Sequence, residues 1–127
     1  MNQKRILVID DAAAVRMYHR FYLEGAGYAV DEAINGIEAL EKTFTNGPFD
    51  LYLVDINMPK LDGYGFLREL RRQDIRQAPA LMISTEAQSH DKTLAFEAGA
   101  NFYLVKPIKP DELLAYCRLL LGLGGAA

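Results

Sequence analysis

The chain has 127 residues, of which 50% are hydrophobic and 24% are charged, and this composition is typical of one globular domain with a buried core. A formal net charge of -3 gives no sign of a nucleic-acid-binding surface, and no apolar run approaches the roughly 20 residues of a membrane span. Without a signal-peptide pattern and with Cys117 as the single cysteine, we expect a cytoplasmic protein without disulfides, in which Cys117 is a buried structural thiol.

Five apolar segments are predicted to be β-strands, and each is followed by a helical pattern. The first runs from Arg5 to Ile9 and ends in the acidic pair Asp10-Asp11. A helix is predicted from about Ala12 to Glu24, with one apolar stripe formed by Val15, Tyr18, Tyr22 and Leu23. His19 lies at the edge of this stripe. Because no second His or Cys stands at ligand spacing, we interpret His19 as a packed residue rather than a metal ligand.

The second predicted strand, residues 28–34, is weaker than the first. Asp31 and Glu32 interrupt it, which favours a position near the edge of a sheet. Asn35-Gly36 then leads into a second predicted helix. The apolar residues on one face of this helix are Ile37, Leu40 and Phe44.

The third segment, Leu51–Val54, has the content of a strand that is buried on both faces. It ends at Asp55, and the turn residues Pro59 and Asp62-Gly63 follow. A carboxylate at the carboxyl end of a buried strand lies where open α/β sheets bind their ligands. From this segment alone, Asp55 could equally be a residue that stops the strand and caps the loop.

The rest of the chain repeats the pattern of strand and helix. A third helix is predicted to turn Phe66, Leu67 and Leu70 inward and to expose a solvated face of Arg68, Glu69, Arg71 and Arg72. A fourth strand, 80–83, ends in Ser84-Thr85 and precedes a helix near 89–98. A fifth strand, 101–105, ends in Lys106-Pro107, and a final helix opens at Asp111 or the residue before it. We expect a single domain with a core from about 4 to 121 and a flexible tail over 122–127.

Five alternations of strand and helix predict a parallel sheet with helices on both faces. The predicted fold is therefore a doubly wound α/β sandwich, and right-handed crossovers leave few topologies open. One of them is the known flavodoxin-like (βα)5 arrangement with strand order 2-1-3-4-5, in which the first and third strands are neighbours. In a parallel sheet, the carboxyl ends of all strands lie at the same rim. The polar residues at the strand ends are thus expected to meet there.

Those residues are three carboxylates, a hydroxyl and an amine, supplied by Asp10, Asp11, Asp55, Ser84 and Lys106. Crowded carboxylates repel one another, and a hard cation such as Mg²⁺, which prefers oxygen ligands, would relieve this repulsion. A carboxylate beside Mg²⁺, an ammonium and a hydroxyl is suited to phosphoryl transfer, with the carboxylate as nucleophile. Each residue alone could be a cap or a salt-bridge partner, but their convergence favours the phosphoryl-transfer site.

Four motifs together resemble the receiver domain of two-component response regulators, in the compact single-domain form of the chemotaxis regulators. They are LVIDD at 7–11, D-x-N-M-P-x-L-D-G at 55–63, the Ser84 hydroxyl and V-K-P at 105–107. The resemblance covers the chain from about Lys4 to Leu121. It implies the strand order 2-1-3-4-5, which is known for the chemotaxis regulators.

The resemblance implies that Asp55 accepts a phosphoryl group from a sensor histidine kinase or a phosphotransfer protein. It also implies that Asp10, Asp11, Asp55 and the backbone carbonyl of Asn57 hold Mg²⁺. Lys106 is implied to pair with the phosphoryl oxygens, and the Lys106-Pro107 bond is often cis in this family.

Further roles follow from the same resemblance. Ser84 corresponds to the switch hydroxyl and Tyr103 to the switch aromatic, although an ordinary strand tyrosine at 103 remains open. Asn57 and Glu86 occupy the positions that modulate dephosphorylation, and we hypothesise a short-lived phosphoryl group. Thr85 stands where a smaller residue is usual and would narrow access for small phosphodonors.

The expected function is signalling rather than turnover of a separate substrate. Because nothing after Leu121 could form an effector domain, we expect output through a protein partner on the face of the fourth helix, fifth strand and last helix. Alternatively, the chain is a receiver excised from a longer regulator.

A competing function is that of an aspartyl-phosphate hydrolase. Such an enzyme would need an acid or base at D-x-D spacing after Asp55, and this chain has Asn57 there. A flavin carrier would need a glycine-rich phosphate loop where Asp10-Asp11 stand, and intact acidic and lysine positions argue against a degenerate receiver.

Overall fold

The computed structural model describes residues 3–125, in which five strands alternate with five helices. The elements are β1 (Arg5–Ile9), α1 (Ala13–Gly25), β2 (Ala29–Ala33), α2 (Gly36–Asn46), β3 (Leu51–Asp55), α3 (Gly63–Arg72), β4 (Ala80–Ser84), α4 (Ser89–Ala98), β5 (Phe102–Val105) and α5 (Pro110–Gly125). All strand pairs are parallel, and the sheet order is β2-β1-β3-β4-β5. The predicted fold class is confirmed.

The strands begin and end at or next to the predicted residues. In β1, β3, β4 and β5 the reason is that an apolar run stops sharply at a polar residue. The end of the last helix differs from the expectation. The tail was expected to begin at Gly122, whereas α5 continues to Gly125. Residues 126–127 lie outside the described residues. Among the helices of residues 3–125, none has both the length and the apolar content of a membrane span.

Alternation along the strands divides the core into two layers, one on each face of the sheet. Leu7, Tyr52 and Met82 point to the face that α3 covers with Phe66 and Leu70. The opposite layer is built from Ile6, Val8, Leu51, Leu53, Leu81, Ile83, Leu23, Leu113 and Cys117. Cys117 is fully buried in this layer, and its burial raises the pKa of the thiol to about 12. The thiol is therefore protonated at neutral pH, as a structural role requires.

Strand β2 forms one edge of the sheet, as its weak apolar pattern predicts. Its two carboxylates are held from opposite sides of the sheet. Arg16 on α1 pairs with Glu32 at 2.8 Å, and Lys42 on α2 lies 3.4 Å from Asp31. Each flanking helix is thereby tied to the edge strand.

The apolar face predicted for α2 is confirmed only for Leu40, which packs against the core, and is wrong for Ile37 and Phe44. Ile37 and Phe44 are 47% and 54% exposed, whereas Ala39 and Thr43 are buried. A Cβ on Gly36 would lie 2.6 Å from the backbone oxygen of Leu61, so α2 begins in direct backbone contact with the loop before α3. This close approach places small side chains on the buried face and leaves the large apolar ones at its margins.

The prediction of a fully solvated face on α3 is wrong for Arg71. Its guanidinium donates hydrogen bonds to the backbone oxygens of Gly99, at 2.9 and 3.1 Å, and of Ala78, at 2.8 Å. Gly99 has a φ of +114°, and a Cβ there would lie 2.7 Å from the Arg71 side chain. Arg71 thus joins the end of α3 to the turn between α4 and β5.

We expect the Lys60→Gly substitution to raise the free energy of unfolding by about 0.5 to 1 kcal/mol. Lys60 lies in the loop between β3 and α3 with a φ of 69°, in the left-handed region that costs side-chain-bearing residues energy. Urea denaturation of the two proteins measures the difference. Lys60→Ala is the matched control, because it removes the charge and keeps the strain. An equal gain in Lys60→Ala would show that charge, and not backbone conformation, is the cause.

Candidate functional site

The carboxyl ends of four strands bring the predicted polar residues to one rim. Asp10 follows β1, Asp55 ends β3, Ser84 ends β4 and Lys106 follows β5. Strands β1 and β3 are neighbours, with Ile9 paired to Val54, so Asp10 and Asp55 are adjacent. The backbone N–H of Lys106 donates to the oxygen of Ser84 at 2.7 Å and extends the pairing of β4 and β5 to the site.

Three carboxylates form the centre of the rim. Asp10, Asp11 and Asp55 each offer an oxygen, and these oxygens lie within 4.8 Å of one another. Asp10 and Asp55 are buried, whereas Asp11 is exposed. The Asp10 side chain accepts a hydrogen bond from the N–H of Ala12 at 2.9 Å, which fixes it at the start of α1.

Lys106 supplies the positive charge of the site. Its Nζ lies 3.4 Å from Oδ1 of Asp55 and 3.6 Å from Oδ2 of Asp10. Within the described part of the chain, one ammonium thus faces three carboxylates, and the cluster keeps an excess of negative charge when all are ionised. The peptide bond between Lys106 and Pro107 is cis.

The pKa of Asp55 is raised to about 6. Burial is the main cause and the neighbouring Asp10 carboxylate adds to it, while the Lys106 ammonium opposes both. The donors are oxygen atoms with excess negative charge, and these residues fit a hard divalent cation such as Mg²⁺. At pH 7 the Asp55 carboxylate is mostly ionised, as a nucleophile must be.

The two adjacent hydroxyl residues at the end of β4, Ser84 and Thr85, differ in exposure. Ser84 is fully buried and its Oγ accepts a hydrogen bond from the N–H of Glu86 at 3.0 Å, whereas Thr85 and Glu86 are exposed. Tyr103 is buried, and its hydroxyl donates to the backbone oxygen of Glu86 at 2.7 Å. The loop after β4 is therefore held at Glu86 from two directions.

The loop after Asp55 is folded back onto its own strand. Asn57 is exposed two residues beyond Asp55, and the N–H of Gly63 donates to the oxygen of Ile56 at 3.0 Å. A Cβ on Gly63 would lie 2.6 Å from the backbone oxygen of Asp55, so only glycine allows α3 to begin this close. The start of α3 is consequently fixed to the backbone of Asp55.

A cleft of about 560 Å³ opens beside Lys106, between α1 and the segment before α5. Among its lining residues are Tyr18, His19, Thr85, Lys106 and Ile108. His19 is buried, which agrees with its interpretation as a packed residue. Burial, and secondarily the Lys106 charge, lower its pKa to about 4, so the ring is neutral at pH 7.

Sequence reasoning missed Tyr64, which contacts the first turn of α4. Its hydroxyl donates to the backbone oxygen of Asp91, in the first turn of α4, at 3.2 Å. The sequence places Tyr64 directly after the Asp62-Gly63 turn, but its partner is a backbone atom 27 residues away. No side-chain pattern could indicate such a contact.

The sequence matches the response regulator receiver domain family over residues 6–118. Two similar curated proteins come from Bacillus subtilis (strain 168). The transcriptional regulatory protein ResD is 38% identical over 120 residues, which cover 94% of this chain and 49% of ResD. The alkaline phosphatase synthesis transcriptional regulatory protein PhoP is 39% identical over 118 residues, which cover 93% of this chain and 48% of PhoP. The chain thus spans about half the length of the curated relatives it matches.

Solved structures show the same similarity over nearly the whole chain. A CheY-like response regulator receiver domain protein from Methanospirillum hungatei JF-1 superposes with a TM-score of 0.90 at 30% identity, covering 98% of both chains. The chemotaxis response regulator CheY4 of Vibrio cholerae gives a TM-score of 0.87 at 33% identity, covering 94% of this chain and 99% of CheY4.

Proposed function

This chain belongs to the response regulator receiver domain family of two-component systems, and on that premise we propose that Asp55 is its phosphoacceptor. The phosphodonor would be a sensor histidine kinase or a phosphotransfer protein. The observation that carries the proposal is the position of Asp55, buried at the end of β3 and 3.4 Å from the ammonium of Lys106. An aspartate in this position meets a transferring phosphoryl group with a positive charge already beside it.

In the proposed reaction, a carboxylate oxygen of Asp55 attacks the phosphorus of a phosphohistidine. The new O–P bond forms as the P–N bond breaks, and the donor imidazole leaves with the electron pair and takes up a proton. Asp10, Asp11, Asp55 and the Asn57 carbonyl would hold Mg²⁺, which supplies charge against the phosphoryl oxygens. The ammonium of Lys106 holds a phosphoryl oxygen of the acyl phosphate product.

The proposed switch starts at Ser84. Its hydroxyl accepts from the N–H of Glu86, and we expect it to turn and donate to the phosphoryl group when Asp55 is modified. Because Tyr103 is bound to the same loop through the oxygen of Glu86, movement of the loop alters the surface of α4, β5 and α5. Asn57 and Glu86, both exposed beside the site, are the proposed modulators of phosphoryl lifetime.

Mass spectrometry after incubation with acetyl phosphate and Mg²⁺ tests the phosphoacceptor. We expect one phosphoryl adduct on the parent, none on Asp55→Asn, and an unchanged adduct on Asp74→Asn, which alters an exposed aspartate. An adduct of normal yield on Asp55→Asn would contradict the assignment.

Two further measurements on the same protein test the type of activity and the lifetime of the phosphoryl group. Turnover of an added phosphate ester would favour an aspartyl-phosphate hydrolase. A half-life of many hours for the isolated adduct would contradict the short-lived phosphoryl group.

We expect Thr85→Ala to speed phosphorylation by acetyl phosphate several-fold. Thr85 is exposed and lines the cleft beside Lys106, so its removal widens the approach for a small phosphodonor. Initial rates of adduct formation measure the effect. Thr45→Ala, on the exposed surface of α2, is the control and should leave the rate unchanged. An equal rate in Thr85→Ala and the parent would show that position 85 does not limit access.

The proposed output is a change in affinity for a protein partner on the surface of α4, β5 and α5. Exposed apolar side chains on α4 and α5, Phe96 and Leu119, support a protein rather than a nucleic acid as the partner. A pull-down with and without beryllofluoride, a phosphoryl mimic, tests the proposal. Recovery of the same proteins in both states would count against a phosphorylation-dependent partner. ResD and PhoP are transcriptional regulators about twice as long as the matched region, and their output is not assigned to this chain.

A further inference from the structure

Helix α4 is held to the rest of the molecule by unusually little apolar surface. Of its ten residues, all within the described range, Ala95 and Ala98 are buried, and Leu94 is half-buried. Burial of two methyl groups and part of one leucine contributes little free energy compared with the leucine and phenylalanine contacts of α3. Directed hydrogen bonds to the start of α4 therefore have a large influence on its position.

Two tyrosine hydroxyls make such bonds from different elements. Tyr103 on β5 donates to the oxygen of Glu86, in the loop that enters α4, at 2.7 Å. Tyr64 on α3 donates to the oxygen of Asp91, in the first turn, at 3.2 Å. Burial, and then the nearby Tyr103 and Asp91, raise the pKa of Tyr64.

Tyr64 differs from Tyr103 in that its backbone is attached to the loop that carries Asp55. Tyr64 follows Gly63, whose N–H is bonded to Ile56 and whose Cα lies against the backbone of Asp55. Asp62 caps the same helix end by accepting from the N–H of Gly65 at 2.8 Å. The backbone of Tyr64 is thus fixed relative to Asp55, and its side chain reaches from there to α4.

We propose that the Tyr64 hydroxyl is a positioning contact that couples the first turn of α4 to the loop carrying Asp55. It acts in parallel with the connection through Ser84, Glu86 and Tyr103. The role in coupling rests on the proposed phosphoacceptor function, whereas the contact itself does not. If the phenol ring only fills space, Tyr64→Phe will retain every property of the parent.

Amide hydrogen exchange in metal-free buffer tests the contact. The N–H groups of Asp91 and Lys92 both donate to the oxygen of Gln88 and report the opening of the first turn. We expect Tyr64→Phe to exchange them roughly five-fold faster than the parent, as loss of one ordinary hydrogen bond predicts. Amides of β1 and β3 should exchange as in the parent. The control is Tyr116→Phe, which removes a phenol hydroxyl from α5, where the Tyr116 ring stacks on Phe102. Equal exchange in Tyr64→Phe and the parent overturns the proposal.

A second comparison, with Mg²⁺ and beryllofluoride, tests the coupling. In the parent we expect the mimic to change the exchange of Asp91 and Lys92. In Tyr64→Phe that change in exchange should shrink at least about two-fold. Binding of the mimic is followed separately by the NMR chemical shift of the Ile56 amide, and the concentration of mimic that half-saturates this chemical-shift change should equal that of the parent. A full response at α4 in Tyr64→Phe overturns the coupling. If the mimic does not change the chemical shift of the Ile56 amide in the parent, the phosphoacceptor function is contradicted. The hydrogen-exchange comparison in metal-free buffer would still decide whether the Tyr64 contact exists.

Discussion

In metal-free buffer at pH 7, we expect Asp55→Asn to be more stable than the parent, with a free energy of unfolding about 2 to 3 kcal/mol higher. The pKa of Asp55 rises from 3.8 to about 6 on folding, because burial and the Asp10 carboxylate disfavour its charge. At pH 7 the folded parent must carry this disfavoured charge. The asparagine amide has a similar shape and carries none, so the penalty disappears.

The sign of the pH dependence follows from proton uptake. Between pH of about 4 and 6 the folded state holds the Asp55 proton more tightly than the unfolded state, so the stability from this group is lost as pH rises. His19 has the opposite effect. Its pKa falls from 6.5 to about 4 on folding, so stability is lost as pH falls through that range. The two slopes partly cancel in the parent, and its own pH profile hides the Asp55 contribution.

The difference between variant and parent isolates Asp55. Urea denaturation of both proteins from pH 4 to pH 8 should show a difference that is small at pH 4, grows up to about pH 6 and is constant above it. Asp74→Asn, with an exposed aspartate, should show no such difference. A gain that is constant over the whole pH range would assign it to packing or hydrogen bonding. Added Mg²⁺ should narrow the gap at pH 7, because binding stabilises the folded parent.

We expect Lys106→Met to phosphorylate with acetyl phosphate about 100-fold more slowly than the parent. Methionine retains much of the length of lysine and removes the one ammonium that, within the described residues, lies within 4 Å of Asp10 and Asp55. The charge on the transferring phosphoryl group then has no fixed cation from the protein. Because the Lys106 side chain is 26% exposed, water replaces part of its effect and the lower end of the usual range is expected.

Initial rates at pH 8 and saturating Mg²⁺ measure this loss. The high pH matters because Lys106 lowers the pKa of Asp55, and without it the carboxylate needs a higher pH to ionise fully. Lys92→Met, which removes an exposed lysine of α4, is the matched control and should keep the parent rate. Lys106→Arg should retain part of the activity through its charge. A normal rate in Lys106→Met would remove Lys106 from the proposed mechanism.

That the side chains of the candidate site meet at one rim was predictable, because they stand at sharp boundaries in the sequence. Each apolar run stops at a residue such as Asp10 or Asp55, and parallel strands bring those stops to one rim. The family resemblance then supplied roles that the boundaries alone left open. The fold class followed from the same alternation of strand and helix.

The features that the sequence did not reveal depend on distances between elements. Ile37 and Phe44 were placed on the apolar face of α2, but they are exposed, and the helix begins in close contact with the loop before α3 at Gly36. Arg71 resembles its exposed neighbours in sequence, and its partners are backbone oxygens brought near by β4 and β5. Tyr64 was missed for the same reason. Backbone acceptors are present at every residue and leave no pattern in the side chains.

The charges on β2 disfavour the pairing of another strand at this edge of the sheet. Asp31 and Glu32 point to opposite faces, and cations from α2 and α1 are bound to them. A strand from another molecule could add here only by crowding these ion pairs and removing water from them, which is costly. An edge of five alternating apolar residues would instead be open to such pairing. The same carboxylates that weaken β2 as a strand therefore make polymerisation through it less favourable.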